Sequence, residues 1–538
     1  MQTLRSRASG VLLATLATLA TVVALGGAGS RTAHAARTGA TPSNTLVIAY
    51  AAPTVDLDPA TSYDSGSDAV LRGEYESLVR LKGASTTAIV GALAQSWSAG
   101  SGGKLYTFRL RHGVTFHDGA PFTADAVKAS YTRELTLNQG PAFIIGQFIS
   151  PKNITVVDPY TVQFRLDRPA PQFLYAMAAQ WGTYIISPAA IKNHPKDLHS
   201  WLQSHEAGTG PYMLQSFVPS QNFTLVRYPR YWGGWSGRHL TRILDRIVTS
   251  DATRREQVSR GDADIGDELQ PSDLAALSKQ SGVVVEDRYG MRNLSIVMTQ
   301  YGPLKSTAAR QAMCYAFDYP SFINDLLHGY GREAQGPMPR TVLGHDNGLP
   351  IYPTDLAKAK SLLQKAGVAA GAKLVLWYQS EDEVTKAAAE VMQGQLAQLG
   401  LSLQIKPVEL TTFISTYYGK APASQRPNFF VWYWYPDYND PGDWLYPQYS
   451  STQVAGAGSN GGYYKNATVD RLLNQAAVTT DAAARLALYK GVQRALVADP
   501  AAVWLADMPE STVIRETLHG YTSNPAYTET YDYYAMYK

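Results

Sequence analysis

The stretch WYWYPDYNDPGDW, residues 432–444, gathers Trp432, Trp434 and Trp444 with three tyrosines around Asp437, Asp440 and Asp443. Aromatic side chains at this density are costly to expose and favour lining something. Asp437, flanked by Trp434, Tyr435 and Tyr438, carries the most distinctive chemistry. In a partly dry setting its carboxylate is a strong acceptor for a ligand ammonium, because charge-assisted hydrogen bonds strengthen at low dielectric. The same residues admit a plainer reading, a strand entering the core followed by a turn at Asn439-Asp440-Pro441-Gly442, and for Trp432 alone that reading is preferred. A third reading makes Asp437 and Asp443 the acid pair of a secreted hydrolase. No second motif supports it.

Other constellations fall short of the chemistry they suggest. GAGSNG (456–461) fits G-x-G-x-x-G, but neither a strand precedes it nor a helix opens on its glycines, so it does not read as a phosphate cradle. In GGWSG (233–237) the position after Gly237 is Arg238, and the flanking pattern of a nucleophile elbow is not met. His194, His199 and His205 have spacings that some zinc sites use, but Pro195 disturbs a helix that would carry the first pair, and a solvated surface is expected. RGDADIGDEL (260–269) alternates acids without the ligand set of a calcium loop, and is expected to form a strand edge and turn. The single cysteine, Cys314, excludes an intramolecular disulfide and cysteine-based metal clusters. No cofactor is implied.

The elements that must position these residues are legible as alternating patterns. TLVIAY (45–50), LYTFRL (105–110), YTVQFRL (160–166) and NFTLVRY (222–228) are rich in β-branched and aromatic residues and read as strands. Thr354 is placed to cap a helix whose apolar residues are Leu356, Ala359, Leu363 and Ala366, and Gly367 is placed to end it. KLVLWY (373–378), a helix from Glu381 to Leu399 and LSLQIK (401–406) form a strand-helix-strand unit, which implies a parallel pair. An α/β fold with mixed sheets follows. No repeat of about 20–50 residues is visible, which argues against a solenoid or propeller.

The 538 residues allow several domains, and 45% hydrophobic with 17% charged residues is globular composition. Arg5 and Arg7 precede an apolar run from Val11 to Leu25, and Ala33-His34-Ala35 follows. That order predicts an export signal over 1–35, cleaved after Ala35, and a polar linker over 36–43. No cysteine lies just after the apolar run, Cys314 being far downstream, so a lipoprotein anchor is excluded. Residues 1–35 hold Arg5, Arg7 and Arg31 and no acid, which leaves 44 basic and 44 acidic residues in the remainder. A chain of net zero charge has no general field for nucleic acid.

GALAQSW (91–97) followed by LYTFRLRHGVTFHDGAPFTADAVKAS (105–130) resembles the signature of the family 5 extracellular solute-binding proteins of ABC importers, the oligopeptide- and dipeptide-binding group. GTGPYML (208–214), YPRYWGG (228–234), RREQVSRGDADIGDEL (254–269), PLKSTAARQAMCYAFD (303–318) and DLAKAKSLLQKAG (355–367) follow in that family's order. The resemblance implies a two-lobed, periplasmic-binding-protein-like α/β fold with mixed sheets and a small extra domain in the first lobe. It places domain I at 44–83, 209–290 and 504–538, domain II at 84–208, and domain III at 291–503. It implies a non-enzymatic monomer that binds peptides and docks on permease subunits with their ATPases. WYPDYNDP (434–441) is similar to the segment whose aspartate holds a peptide's α-ammonium, which gives that role to Asp437, with Trp434 and Tyr435 beside it. YESL (75–78) resembles a segment that puts Glu76 at the cleft, and DRYGM (287–291) one that puts Tyr289 at the interdomain crossing. Pro436, Tyr433 and Tyr319 depart from the usual pattern and leave the ligand class open, with an oligosaccharide as the alternative to a peptide.

Overall fold

Thr45–Tyr50 is buried along its whole length, the pattern of a strand covered on both faces. It lies inside a mixed sheet of eleven strands that organises the chain. The computed structural model describes residues 44–538 apart from Glu529, so the signal and linker expected over 1–43 lie outside the described residues. Across the sheet the order is Ser402–Val408, Lys373–Gln379, Phe429–Trp434, Val283–Met298, Ala502–Arg515, Ile265–Gly266, Thr45–Tyr50, Arg242–Ile247, Asn222–Arg227 and Tyr212–Val218. Arg332–Glu333 adds against Ala502–Arg515. Val283–Met298 and Ala502–Arg515 are the long members and pair antiparallel from Val283↔Arg515 to Val297↔Ala502, with register shifts between Tyr289 and Arg292 and between Leu294 and Ser295. A shift of this kind inserts unpaired backbone and bends the pair.

The strand-helix-strand unit has the expected form. Lys373–Gln379 and Ser402–Val408 pair in parallel, with the Glu383–Gln398 helix between them in sequence. The 356–365 helix is also present, but Asp355 caps it by accepting the Lys358 N–H at 2.8 Å, while Thr354 donates its hydroxyl to the Phe317 carbonyl. A carboxylate is at least as good an N-cap as a threonine, and it sits one residue closer to the first turn. Gly367 follows at φ +70°, as its placement required. The RGDADIGDEL segment departs from expectation more: Ile265–Gly266 pairs on one side with Thr45–Tyr50 and on the other with Ala502–Arg515, so it is interior to the sheet. Its partners are remote in sequence, and local alternation of acids carries no trace of them.

A separate four-stranded sheet, in the order Ala94–Gly100, Leu105–Leu110, Thr161–Arg165 and Ile154–Asp158, packs with the Ala124–Leu137 helix around its own core. Phe108, Phe116, Tyr131, Phe164 and Phe173 are fully buried there. A second core forms around Leu46, Ile48, Tyr212, Phe223, Leu225 and Tyr531. Two further cores collect residues mainly between Met291 and Met508, among them Phe317, Leu376, Met392, Trp444 and Tyr489, and one of them also takes in Leu81, Ala526 and Tyr527. No helix of the described residues is long and apolar enough to cross a membrane.

Candidate functional site

Phe429–Trp434 begins as a buried apolar strand, and its Trp432, Tyr433 and Trp434 are half-buried. Pairing of Asn293–Met298 with its whole length fixes its direction. The chain then leaves the sheet through Tyr435, Pro436 and Asp437 and enters the Pro441–Tyr449 helix. The expected turn at 439–442 is therefore a helix start: Asp440 accepts the Gly442 N–H at 2.7 Å and Pro441 occupies the first position, where its missing N–H costs nothing. Arg485 holds Asp440 with two hydrogen bonds of 2.7 Å, both partners being buried. Such a fork leaves the cap little freedom.

In the first turn of that helix Asp443 accepts the backbone N–H of Asp437 at 2.7 Å and of Tyr438 at 3.3 Å. Tyr438 itself is buried in the core of the four-stranded sheet, and Asn439 donates to the Thr86 carbonyl at 2.9 Å while accepting from Leu343 N at 3.1 Å. The short loop is thus tied at each residue, and Asp437 faces a cavity of about 1510 Å³. The Tyr63 hydroxyl donates to its Oδ1 at 2.5 Å. Burial pushes the Asp437 carboxyl up to about 6, against the lowering effect of the Tyr63 bond. Asp443 is pushed well up by burial and then by the Asp437 charge, although the two backbone N–H groups oppose the rise. No cationic side chain among the described residues pairs with Asp437.

Trp432, Trp434, Tyr435, Tyr418 and Tyr446 form an aromatic wall on the Asp437 side, and Tyr63, Phe143 and Trp181 face the cavity from the N-terminal part of the chain. Trp432, expected in the core, also stacks on Phe413 at 5.1 Å, so it has one side packed and one on the cavity. Of the residues singled out in the sequence, Asp437, Trp434 and Tyr435 line this space together. Glu76 does not. It accepts from Thr209 at 2.9 Å, Tyr231 at 3.0 Å and Trp232 at 2.8 Å, and so ties its own segment to two others. Tyr289 is also outside the lining, opposite Pro509 in the long strand pair with the Arg332 guanidinium 3.4 Å from its ring centre.

Sequence reasoning missed Tyr63, Trp181, Glu268 and Arg292, all of which line the cavity. For Glu268 a signal existed: it belongs to the acidic segment read above as a strand edge and turn. His194 stacks on Trp201 and His199 lies against Asp58, no metal-ligating group of three or more occurs among the described residues, and GAGSNG lies in turns before the Ala467–Val478 helix.

Comparison with known proteins agrees with this architecture. Residues 88–456 match the bacterial extracellular solute-binding proteins, family 5 Middle. The probable D,D-dipeptide-binding periplasmic protein DdpA of Escherichia coli is 32% identical over 505 residues, which is 93% of this chain and 95% of that protein. The glutathione-binding protein GsiB of Escherichia coli is 29% identical over 83% of this chain and 86% of its own. Among solved structures, the periplasmic binding protein DppA of Helicobacter pylori in complex with the peptide STSA superposes with a TM-score of 0.79 at 24% identity, covering 92% of this chain and 98% of that one. The strand order, the cavity and these likenesses converge, and the chain belongs to the family 5 bacterial extracellular solute-binding proteins.

Proposed function

We propose that the protein captures peptides of two or more residues in this cavity, with Asp437 taking the peptide's α-ammonium, and delivers them to the permease subunits and ATPases of an ABC importer. The observation that carries the reading is Asp437 itself, a carboxylate without a cationic partner, fixed by Asp443 at the edge of a large aromatic-walled space. An ammonium beside it restores the charged form that burial disfavours, and a charge-assisted bond of this kind is worth about 1.5–3 kcal/mol. Relatives named for dipeptides and glutathione, and a neighbour holding a tetrapeptide, supply ligands with free amino termini. The aromatic wall accepts varied side chains without dictating their order.

In the same reading, 44–83, 209–290 and 504–538 make the first lobe, 84–208 the small domain inserted in it, and 291–503 the second lobe. Support comes from separate apolar cores that largely follow these borders. A ligand that touches both lobes binds the closed arrangement better than the open one and so shifts the equilibrium toward closure. The peptide is returned unaltered: Asp443, the second acid of a hydrolytic pair, already spends an oxygen on two backbone N–H groups. Export before Ala36 completes the reading.

Calorimetric titration of the mature chain with alanine di-, tri- and tetrapeptides and their N-acetylated forms tests it. Free peptides are expected to bind, and both N-acetylation and Asp437→Ala are expected to weaken them by about 30-fold or more, the loss of one charge-assisted pair. N-acetylated peptides that bind as tightly as free ones would remove Asp437 from its role. The aromatic wall also suits sugar rings, so an oligosaccharide is the second reading. Binding of a sugar panel with no response to peptides would establish it.

A further inference from the structure

We infer that the cavity selects peptides with large apolar side chains after the first residue, through an aliphatic strip on the Leu410–Tyr417 helix; this rests on the peptide reading above. Leu410, Phe413, Ile414, Tyr417 and Tyr418 recur at the spacing of one helical stripe, while Thr411, Thr412 and Ser415 are exposed on the remaining sides. The stripe is wider than the core that receives it. Phe413 and Tyr417 are buried, with the rings of Phe430 and Trp432 covering them at centre distances of 5.1–5.5 Å. Leu410 and Ile414, four residues apart and so stacked along the helix, are instead 48% and 39% exposed and line the cavity. Val384, at the start of the Glu383–Gln398 helix, adds a half-buried aliphatic side chain to the same lining. Exposed apolar residues scattered singly need no explanation, but side by side in a cavity they mark a surface kept for a ligand.

The strip starts next to Asp437. Tyr418, which caps the helix, lines the cavity with Asp437, and its hydroxyl is raised by burial and then by the nearby Tyr435 and Asp437. Leu410 is eight residues back, about 12 Å along the helix at 1.5 Å per residue. An extended peptide advances about 3.3 Å per residue. A chain anchored at Asp437 by its ammonium and running along this helix therefore meets Ile414 and Leu410 with its second to fourth residues. A second apolar surface leads away from the same carboxylate. Tyr63, the donor to Asp437, packs edge-on against Phe143 at 5.5 Å and Trp181 at 5.0 Å, and Phe143 is 48% exposed to the cavity. Leucine and isoleucine offer no polar atom to a ligand. A leucine laid on the strip gains by leaving water, whereas an asparagine of nearly the same shape gives up its amide's hydrogen bonds.

Calorimetric titration of the mature chain with Ala-Leu-Leu-Ala, Ala-Asn-Asn-Ala, Leu-Ala-Ala-Ala and Ala-Ala-Ala-Ala, all with free amino groups, tests this. Ala-Leu-Leu-Ala is expected to bind about tenfold or more tighter than Ala-Asn-Asn-Ala, the return from burying one leucine side chain. Its heat-capacity change of binding is expected to be the more negative, and the ratio is expected not to narrow in 1 M salt. Leu-Ala-Ala-Ala should gain less over Ala-Ala-Ala-Ala than Ala-Leu-Leu-Ala does. The double variant Leu410→Ala, Ile414→Ala is expected to lower the leucine-to-asparagine ratio by about threefold or more; both positions are exposed, and alanine keeps the helix. That ratio is read within one protein, so a change in stability does not mimic the effect. Equal affinities for the leucine and asparagine peptides would overturn the inference while peptide binding stood, as would a ratio that the double variant leaves unaltered or a gain as large from leucine in the first position. If none of the tetrapeptides bound, the peptide reading itself would fall and this selectivity with it.

Discussion

The carboxyl of Asp437, proposed above to take a ligand's ammonium, is a cost to the fold. Its value in the folded chain, about 6, lies above that of an unfolded aspartate. A raised acid favours the folded state fully below the unfolded value, and that advantage is lost as pH rises through the folded one. Asp437→Asn is therefore expected to stabilise the ligand-free protein at pH 8 by about 1–2 kcal/mol, allowing for solvent screening at a half-buried group, and to leave it unchanged near pH 3.5. Thermal melts at the two pH values check this, and equal shifts at both would refute it. Ligand affinity should run the opposite way, rising from pH 5 to pH 7 as the carboxylate ionises, with proton release on binding near pH 6 visible in calorimetry across buffers of different ionisation heat. At this scale the sequence was informative where the cavity wall is built from a contiguous segment: Asp437, Trp434 and Tyr435 are neighbours and all reach the cavity. Tyr63, alone in SYDSGSD, carries no local mark, and only the fold brings it to Asp437. Glu76 shows the converse, a residue in a recognisable segment whose oxygens the fold spends on Thr209, Tyr231 and Trp232.

The Pro441–Tyr449 helix sets the Asp437 loop, and its own start depends on a side chain from the Ala482–Ala498 helix, Arg485. Removing one partner of a buried pair leaves the other charge uncompensated, at about 3–5 kcal/mol. Arg485→Met is expected to cost that much in chemical denaturation and also to weaken peptide binding, because the helix cap, Asp443 and Asp437 shift together. Arg485→Lys should recover little, since an ammonium cannot make both bonds at once. Wild-type peptide affinity in a destabilised Arg485→Met would show that the cap does not position the loop. The strand-helix-strand unit at 373–408 was legible because its periodicity is local and its partners are sequential. The 439–442 segment was read as a turn because Asn, Asp, Pro and Gly suit a turn and a helix start alike. What decides between them is Arg485, more than forty residues away. Ile265–Gly266 was placed at an edge for a similar reason, its two partners being strands from opposite ends of the described chain.

Over the whole molecule the one cysteine offers a measure of how the parts hold together. Cys314 is fully buried in the Thr307–Ala316 helix, and burial pushes its thiol well above its usual value, so both access and reactivity are suppressed. A thiol reagent at pH 8 is expected to label the native chain only as fast as that core opens, and more slowly with saturating peptide, since a ligand bound to the folded state lowers the open population. Complete labelling within the mixing time would contradict the buried position. The alternating fold class could be read from the sequence, but the sheet order could not, because it depends on long-range pairing. That order carries a further consequence. Ala502–Arg515 lies in the middle of the sheet, yet among the described strands it is the last in the chain. A polypeptide threaded through a pore from its N-terminus presents Val283–Met298 and Ile265–Gly266 long before the strand that joins them arrives. Non-local pairing of this kind is slow, because loop closure must precede the contacts that reward it. A chain that emerges from its N-terminus therefore cannot complete this sheet until its last described strand arrives, and assembly is timed by that delivery.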